Sequence, residues 1–271
     1  MTASLTAPSE NDYNPERRAP TARDARLEQA ARNRMEGLRC VLEALEDRGN
    51  RAAVLRSAES FGILHVHEIP AKAVRGRGIA NGGEKWLHVH QHTSPQDCID
   101  TLHALNFLVF AAVAAPTAVS APGKLWDNAD LGSTERCLQK ETTVKPLEQI
   151  DFSQRVALVF GNERLGVSSE LMELCDGTFT IAMRGLSESL NVSVAVAVAL
   201  HSGRVAREAA LASGRVEGRL RTNGEGDLND EELEALIEEY RQRSQDHAFQ
   251  RRQRQEASAL PVIGATTEPD T

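Results

Sequence analysis

Apolar and polar positions alternate along this chain with two periods, one of about 3.6 residues and one of 2. The first period predicts a long helix over residues 22–47, where Leu27, Ala31 and Met35 recur at helical spacing. A shorter helix is predicted over residues 52–61, ending before Gly62.

The rest of the pattern alternates strands with helices. Strands are predicted at residues 63–69, 87–92, 107–113, 156–160 and 178–181, and helices at residues 95–105, 168–174, 190–211 and 230–253. Strands that alternate with helices usually form parallel sheets. We therefore expect an α/β fold, with a mainly parallel sheet and helices on both faces.

Composition divides the chain into segments. The first residues are rich in Ser, Pro and Asn, which is typical of disorder. Residues 114–145 contain prolines and few periodic apolar positions, which indicates an insertion. We expect a disordered tail at 1–21, a helical extension at 22–49, the main domain at 50–212, a linker and charged helix at 213–256, and a disordered tail at 257–271.

Two turns of unusual composition lie between residues 158 and 193. The first follows a buried strand and contains Gly161 and Gly166, and the second is polar and contains Ser189 and Asn191. Turns after neighbouring parallel strands meet at one edge of a sheet. A ligand site is expected where these two turns meet, which favours an enzyme.

The helix after the second turn is apolar and rich in β-branched residues, so we expect it to be buried nearly all round. Its polar N-terminus would then face a pocket, where bare N–H groups suit a carboxylate, a phosphate or a ribose hydroxyl. Simple helix capping by Ser189 and Asn191 stays open as an alternative for each residue taken alone.

The chain of 271 residues has a formal net charge of -8, yet arginines are concentrated near both ends. Local basic surfaces bind phosphates whatever the total charge, although solvated helix faces explain them equally well. The apolar runs are too short for a membrane span, and the N-terminus lacks the apolar core of a signal peptide. The four cysteines are far apart, as free thiols are. We expect a cytoplasmic location without a membrane partner.

Three motifs together resemble one known family. The segments GNERLGVS from Gly161 and IAMRGLSESLNVSVAVAVAL from Ile181 are similar to motifs two and three of the SpoU/TrmH branch of the SPOUT superfamily, the RNA ribose 2'-O-methyltransferases. Residues 50–62 resemble motif one, and residues 82–86 resemble a segment typical of the tRNA guanosine-18 enzymes. Three motifs in this order are a stronger signal than one alone.

The resemblance implies a trefoil knot in the C-terminal half of the sheet, which is rare among folds. It also implies S-adenosylmethionine as cofactor, a structured RNA as substrate, with guanosine 18 of tRNA foremost, and a homodimer whose sites draw on both subunits. The backbone groups that would hold the cofactor belong to Ala112, Gly161, Ile181, Met183 and Leu190.

A ribose 2'-hydroxyl must lose its proton before it attacks, whereas a sulfonium methyl group is already a good electrophile. The enzyme therefore needs alignment and help with the proton. The resemblance gives that task to Arg56, which stays protonated and would act with an RNA phosphate. Asn50 would orient Arg56, and Glu163, Ser189 and Asn191 would shape the pocket.

Basic residues of the N-terminal helix and of the loop before Trp86 are the expected RNA contacts: Arg32, Arg39, Arg75, Arg77 and Lys85. The chain departs from the family pattern in two places. The link after the strand ending near Val113 is long and lacks the usual Thr-His turn, and Asn81 stands where relatives often carry a basic residue.

Histidines alternate on two predicted strands, at 65 and 67 on one and at 88, 90 and 92 on the other. Such histidines could bind a metal. No cysteine or carboxylate stands at ligand spacing from them, and the resemblance implies no metal. We therefore expect none, and we expect these side chains at the surface or at an interface.

Two rival functions share the predicted fold. One is the same chemistry on ribosomal RNA, and the other is RNA binding without catalysis, against which the complete set of motif residues argues. A nucleotide-binding oxidoreductase is disfavoured because no G-x-G-x-x-G turn follows the first strand. No DNA partner is expected.

Overall fold

Seven parallel strands form the centre of the protein. The computed structural model describes residues 21–70, 84–114, 144–216 and 226–259. The strands lie side by side in the order β3-β2-β1-β6-β4-β7-β5, and every neighbouring pair is parallel. Their ranges are β1 Leu38–Glu43, β2 His65–Ile69, β3 His88–Gln91, β4 Leu108–Ala112, β5 Lys145–Pro146, β6 Val156–Phe160 and β7 Gly177–Thr180. The predicted α/β fold with a mainly parallel sheet is confirmed.

Helices cover both faces of the sheet, as buried parallel strands require. Their ranges in the described part of the chain are α1 Ala22–Arg32, α2 Arg48–Ser60, α3 Pro95–Ala104, α4 Ser169–Leu174, α5 Val192–Ala212 and α6 Asp230–Ala259. Helices α2 and α5 pack on one face, and α3 and α4 pack on the other. Helices α1 and α6 form a separate apolar cluster around Leu27, Leu236 and Tyr240.

Polar residues cap the N-termini of these helices. Thr21 and Asp24 form a capping box at the start of α1. Side chains of Asp47, Ser94, Ser168 and Asn191 accept the first free N–H groups of α2 to α5 in turn. The other predicted strands and helices are confirmed, with boundaries that differ by a few residues.

The first predicted helix is wrong beyond Arg32. Residues 38–43 form β1 in the middle of the sheet, and all six are buried. Because both faces of β1 are buried, its residues do not alternate between apolar and polar, and Leu38, Val41 and Leu42 also fit the helical spacing of three and four. The predicted domain boundary at residue 50 is therefore wrong as well, because it separates β1 from its own sheet and cuts through α2.

Contrary to the prediction, Arg39 is not a surface residue. It lies in β1 and is 4% exposed. Its Nη2 donates to Glu36 Oε1 at 2.7 Å, and its guanidinium stacks over the ring of Phe107. A buried arginine that is already paired offers nothing to an RNA phosphate, so Arg39 is withdrawn from the predicted RNA contacts.

The expectation that the long apolar helix is buried nearly all round is also wrong. One side of α5 packs on the sheet through Val196, Ala199 and Leu200. The other side exposes Val194 and Val198, at 46% and 39% of their surface. Helix α5 therefore has an apolar face that the single chain leaves open.

Candidate active site

Loops after β6, β4 and β7 emerge at one edge of the sheet. Strand β4 lies between β6 and β7, and all three are parallel. Their carboxyl ends are therefore neighbours, which is where ligands bind in open α/β sheets. The two polar turns that the sequence singles out, residues 161–168 and 181–191, follow β6 and β7 at this edge.

The turn after β6 is tight because Gly161 lies against Gly166. A Cβ at Gly161 would lie 2.0 Å from the carbonyl carbon and oxygen of Gly166. Asn162 and Gly166 exchange two backbone hydrogen bonds, of 3.0 and 2.9 Å. The side-chain oxygen of Asn162 also accepts from the backbone N–H of Arg164 at 2.8 Å. These contacts fix the turn that carries Glu163.

The last residue of β1, Glu43, and the residue after it, Ala44, anchor this turn. The side-chain amide of Asn162 donates to the carbonyl of Ala44 at 3.0 Å. The Glu43 carboxylate accepts from the backbone N–H of Ser168 at 2.7 Å and from its hydroxyl at 2.5 Å. Sequence reasoning missed Glu43, because its stretch was read as a helix and its partner lies 125 positions away.

The loop after β7 leaves its backbone polar groups open. Residues 182–190, all of them described, make no backbone–backbone hydrogen bond. The side chain of Leu186 in this loop is fully exposed. Unpaired N–H and C=O groups at the end of a parallel strand can bind a polar ligand without charged side chains. Ala112, Ile181, Met183 and Leu190 are partly exposed or half-buried at this edge.

Three of the predicted site residues meet in a chain of hydrogen bonds. Asn50 in the first turn of α2 donates from Nδ2 to Glu163 Oε1 at 2.8 Å. Asn191 at the start of α5 donates from Nδ2 to Asn50 Oδ1 at 3.2 Å. The three motifs thus converge on Asn50, although they lie 113 and 141 positions from it. Asn191 also caps α5, because its Oδ1 accepts from the backbone N–H of Ser193 at 2.9 Å, so the capping alternative is confirmed for Asn191.

Arg56 and Ser189 are not in this chain. Ser189 is exposed in the loop after β7. Arg56 is exposed on α2, about 9 Å along the helix axis from Asn50. Within the described residues, Arg56 makes no ion pair or side-chain hydrogen bond. Its guanidinium is therefore available to another molecule.

Of the predicted RNA contacts, Lys85 is half-buried beside Trp86. Its ammonium lies 4.8 Å from the centre of the Trp86 ring. Burial, and then the charge of Arg23, lower the pKa of Lys85. Helix α6 holds this segment: Tyr240 donates to the carbonyl of Trp86 at 2.7 Å, and Arg243 donates to that of Lys85 at 2.6 Å.

The other predicted RNA contacts are Arg32, which is half-exposed in an ion pair, and two arginines that the structure does not describe. Arg32 pairs with Glu28 at 2.6 Å, and both side chains are 39% exposed. Arg75 and Arg77 lie outside the described residues, as do residues 1–20 of the predicted tail 1–21 and nearly all of the insertion.

The histidines form a ladder inside the protein, and the prediction that they lie at a surface is wrong for His67 and His92, which are buried. His65 Nδ1 lies 2.8 Å from His90 Nε2, and His67 Nδ1 lies 2.8 Å from His92 Nε2. Because side chains alternate along a strand, these rings lie on the face of the sheet that α3 covers. The alternation in the sequence does not show whether a helix covers that face, so the burial of His67 and His92 was not predicted.

The fold and the site together define a class: α/β enzymes that bind a nucleotide-like ligand at the carboxyl ends of parallel strands. The sequence profile of the SpoU rRNA Methylase family matches residues 37–201. The chain belongs to this family, because the match covers more than half of it. Enzymes of this family methylate RNA riboses with S-adenosylmethionine, and the predicted enzyme class is confirmed.

Relatives of known function agree with this assignment. The tRNA (guanosine(18)-2'-O)-methyltransferase of Thermus thermophilus is 29% identical over 181 residues, 66% of this chain and 80% of that protein. The enzyme of the same name from Aquifex aeolicus is 26% identical over 186 residues, 68% of this chain and 76% of that protein. A 23S rRNA (guanosine-2'-O-)-methyltransferase of Acinetobacter baylyi is 28% identical over 67% of this chain and 65% of its own length.

A solved structure shares the fold. The crystal structure of the Aquifex aeolicus TrmH/SpoU tRNA modifying enzyme superposes with a TM-score of 0.58 at 25% identity, covering 83% of this chain and 96% of that one. In the described part of this chain, no helix is both long and apolar enough to cross a membrane.

Proposed function

We propose that this protein transfers the methyl group of S-adenosylmethionine to the ribose 2'-oxygen of guanosine 18 in tRNA. The observation that carries the proposal is the Asn191–Asn50–Glu163 chain, which joins motifs three, one and two at one edge of the sheet. The choice of tRNA as substrate rests on relatives that are named for this reaction on tRNA. Ribosomal RNA is the second candidate, because one relative is named for it.

The open loop after β7 and the tight turn after β6 suit the cofactor. When bound, S-adenosylmethionine supplies an electrophilic methyl group on a sulfonium. Backbone groups of Gly161, Ile181, Met183 and Leu190, with Ala112 at the end of β4, would hold it. Residues 182–190 have no backbone hydrogen-bond partner among the described residues, which supports this role, since polar groups without protein partners are satisfied by a ligand or by water. The knot typical of the family belongs to this proposal.

The remaining residues align the acceptor and manage its proton. Asn50 has both of its side-chain polar groups engaged, so it fixes the start of α2 relative to the two loops. Glu163 and Ser189 border the space in which the acceptor ribose would lie. Arg56 stays protonated, so its part is to orient an RNA phosphate and to stabilise the charge that develops on the 2'-oxygen.

We propose a homodimer in which Arg56 serves the partner's loops. The open apolar face of α5, with Val194, Val198 and Val205, suits a second copy of the chain. Arg56 lies on the neighbouring helix α2 and has no partner within the described residues of its own chain. The protein would act in the cytoplasm, with Lys85 and Arg32 among its tRNA contacts.

Labelled methyl transfer to purified tRNA and rRNA, followed by nucleoside mapping, tests the proposal. We expect 2'-O-methylguanosine at position 18 of tRNA. Arg56→Ala should abolish transfer while binding of S-adenosylmethionine persists, whereas Arg48→Ala, an exposed arginine on the same helix, should leave both unchanged. Label in rRNA alone would select the second candidate, and binding of both RNAs without any label would refute the enzyme assignment.

A further inference from the structure

Three potential metal ligands meet inside the protein, away from the methyl-transfer site. His67 comes from β2, His92 follows β3, and Cys98 lies in α3. One ligand atom from each lies within 4.8 Å of the other two, and all three residues are buried. They lie at the β3 end of the sheet, on the side of β1 away from β6.

A fourth side chain orients this cluster. Asp97 Oδ2 lies 3.4 Å from His92 Nδ1, so the other nitrogen of His92 faces His67, with 2.8 Å between them. Histidine ligands of metals commonly donate their remote N–H to a carboxylate in this way. Asp97 is itself held, because its carboxylate accepts from the backbone N–H of Thr93 at 3.1 Å.

Negative charges near Cys98 favour the binding of a cation there. The negative charges of Asp97 and Glu43 act on Cys98, whereas the positive charge of Arg39 acts on the far nitrogen of His67. The same negative charges stabilise a positive ion. A thiolate with two imidazoles selects zinc and similar ions over calcium or magnesium, which prefer oxygen ligands.

We propose that His67, His92 and Cys98 bind zinc as three of its four ligands, with water in the fourth position. Around Zn²⁺ the ligand atoms would lie about 3.3 to 3.6 Å apart, given Zn–N near 2.0–2.1 Å and Zn–S near 2.3 Å. The two imidazole nitrogens move apart by about half an ångström and the sulfur moves inward. The ion ties α3 to β2 and to the edge strand β3.

Binding changes the protonation of two ligands. The thiol proton of Cys98 goes to solvent as the Zn–S bond forms. His67 Nε2 lies 3.4 Å from Arg39 Nη1, so without metal His67 carries its proton on Nδ1, toward His92. That proton must move to Nε2, which displaces the long contact with Arg39, whose Nη2 keeps Glu36 at 2.7 Å. Ions with weak affinity for imidazole and thiolate cannot offset this cost.

Cobalt absorption tests the site, because Co²⁺ bound to thiolate gives a charge-transfer band that Zn²⁺ removes on displacement. We expect the full-length chain, freed of metal by a chelator, to bind one Co²⁺ with this band. Cys98→Ser should lose the band. Asp97→Asn should keep it and bind roughly 10–100-fold more weakly. The matched control is Cys175→Ser, at a half-buried cysteine outside the cluster, which should behave as wild type.

Thermal unfolding supplies an independent readout. Zinc should raise the unfolding temperature of the wild type and of Cys175→Ser, and leave that of Cys98→Ser unchanged, since only a folded site that binds the ion is stabilised. Cys98→Ala is the second variant, should serine unfold the chain. A wild type without the band, or a Cys98 variant with the wild-type band, overturns the proposal. Methyl transfer is not part of either readout, so the proposed function stands or falls separately.

Discussion

Glu36 organises the polar interior near the start of β1. One of its carboxylate oxygens accepts from Arg39 and from Arg155, each at 2.7 Å, and the other lies 2.8 Å from His65 Nε2. Both arginines stack on the ring of Phe107. One carboxylate therefore compensates two guanidinium groups in a region with little water.

Replacing this carboxylate should destabilise the fold strongly. Glu36→Gln leaves buried positive charge without its partner, and breaking a buried pair costs about 3–5 kcal/mol. Chemical denaturation at neutral pH measures the loss. The matched control is Glu28→Gln, which breaks a half-exposed pair with Arg32 and should cost no more than about 1 kcal/mol. Equal losses in the two variants would contradict this account of Glu36.

The cost of Glu36→Gln should also depend on pH. Burial by itself would raise the pKa of Glu36, but the hydrogen bond from His65 and the charges of His65 and Arg39 hold it well below its usual range. A carboxyl with a lowered folded-state pKa stabilises the fold above its unfolded pKa of about 4.3 and loses that contribution as pH falls further. The difference in the free energy of unfolding between wild type and Glu36→Gln should therefore shrink below about pH 4. Chemical denaturation at a series of pH values measures this difference, and a value that stays constant with pH would contradict the prediction.

At the scale of single residues, the sequence did not show which polar side chains are buried. Asn50, Glu163 and Asn191 could be singled out from the sequence, because each lies within a recognisable motif. Arg39 and His67 could not, since each is buried by helices and paired with side chains from other elements. A lone arginine or histidine in a sequence is read as exposed until its partner is known.

At the scale of elements, the turn after β6 depends on the absence of a side chain. Gly161 lies so close to Gly166 that a Cβ would overlap backbone atoms, which cannot move aside as a flexible side chain can. For Gly185, in the loop after β7, no atom of the described residues lies within 4 Å of the same position. The two glycines therefore differ in what they contribute, although the sequence presents both as turn glycines.

Alanine at each glycine separates these roles. Gly161→Ala should cost about 1–3 kcal/mol of stability through overpacking, and it should weaken binding of S-adenosylmethionine at least about tenfold by displacing the turn. Gly185→Ala should retain both properties. Calorimetry of cofactor binding measures the affinities. Unchanged affinity in Gly161→Ala would show that this turn does not position the cofactor.

The elements themselves were largely predictable, with one instructive exception. Strands such as β6 have a short apolar run bounded by turn residues, and helices such as α3 have a capping serine followed by proline. Strand β1 was missed because it is buried on both faces and follows α1 closely. Only its pairing with β2 and β6 reveals it, and those partners lie far along the chain.

At the scale of the whole molecule, the net charge of -8 and an RNA substrate are compatible because charge is local. Basic groups such as Lys85 and the exposed Arg56 are among the proposed contacts of the substrate, while acidic residues such as Glu231 and Glu234 are exposed on α6. Local potential near a binding surface governs the attraction of phosphates. The parallel sheet could be predicted from the alternation of strands and helices. The open face of α5 could not, since an apolar helix pattern does not show which of its faces stays exposed.

The proposed dimer makes a strong prediction about mixed subunits. If Arg56 serves the partner's loops, Arg56→Ala and Gly161→Ala damage different halves of one composite site. Each variant alone should be inactive or weakly active. After unfolding and refolding together in equal amounts, half of the dimers are mixed, and each mixed dimer has one complete site. The mixture should therefore recover roughly a quarter of the wild-type rate.

The recovered activity must depend on dimer formation through α5. Val198→Glu places a charge on the open apolar face of α5, and introduced into both variants it should give monomers by sedimentation and remove the recovery. Ser213→Glu, at the exposed end of the same helix, is the matched control and should keep it. If the mixture gains nothing while mixed dimers are present, Arg56 acts on the loops of its own chain, and the composite site is ruled out even though the fold and the methyl transfer remain.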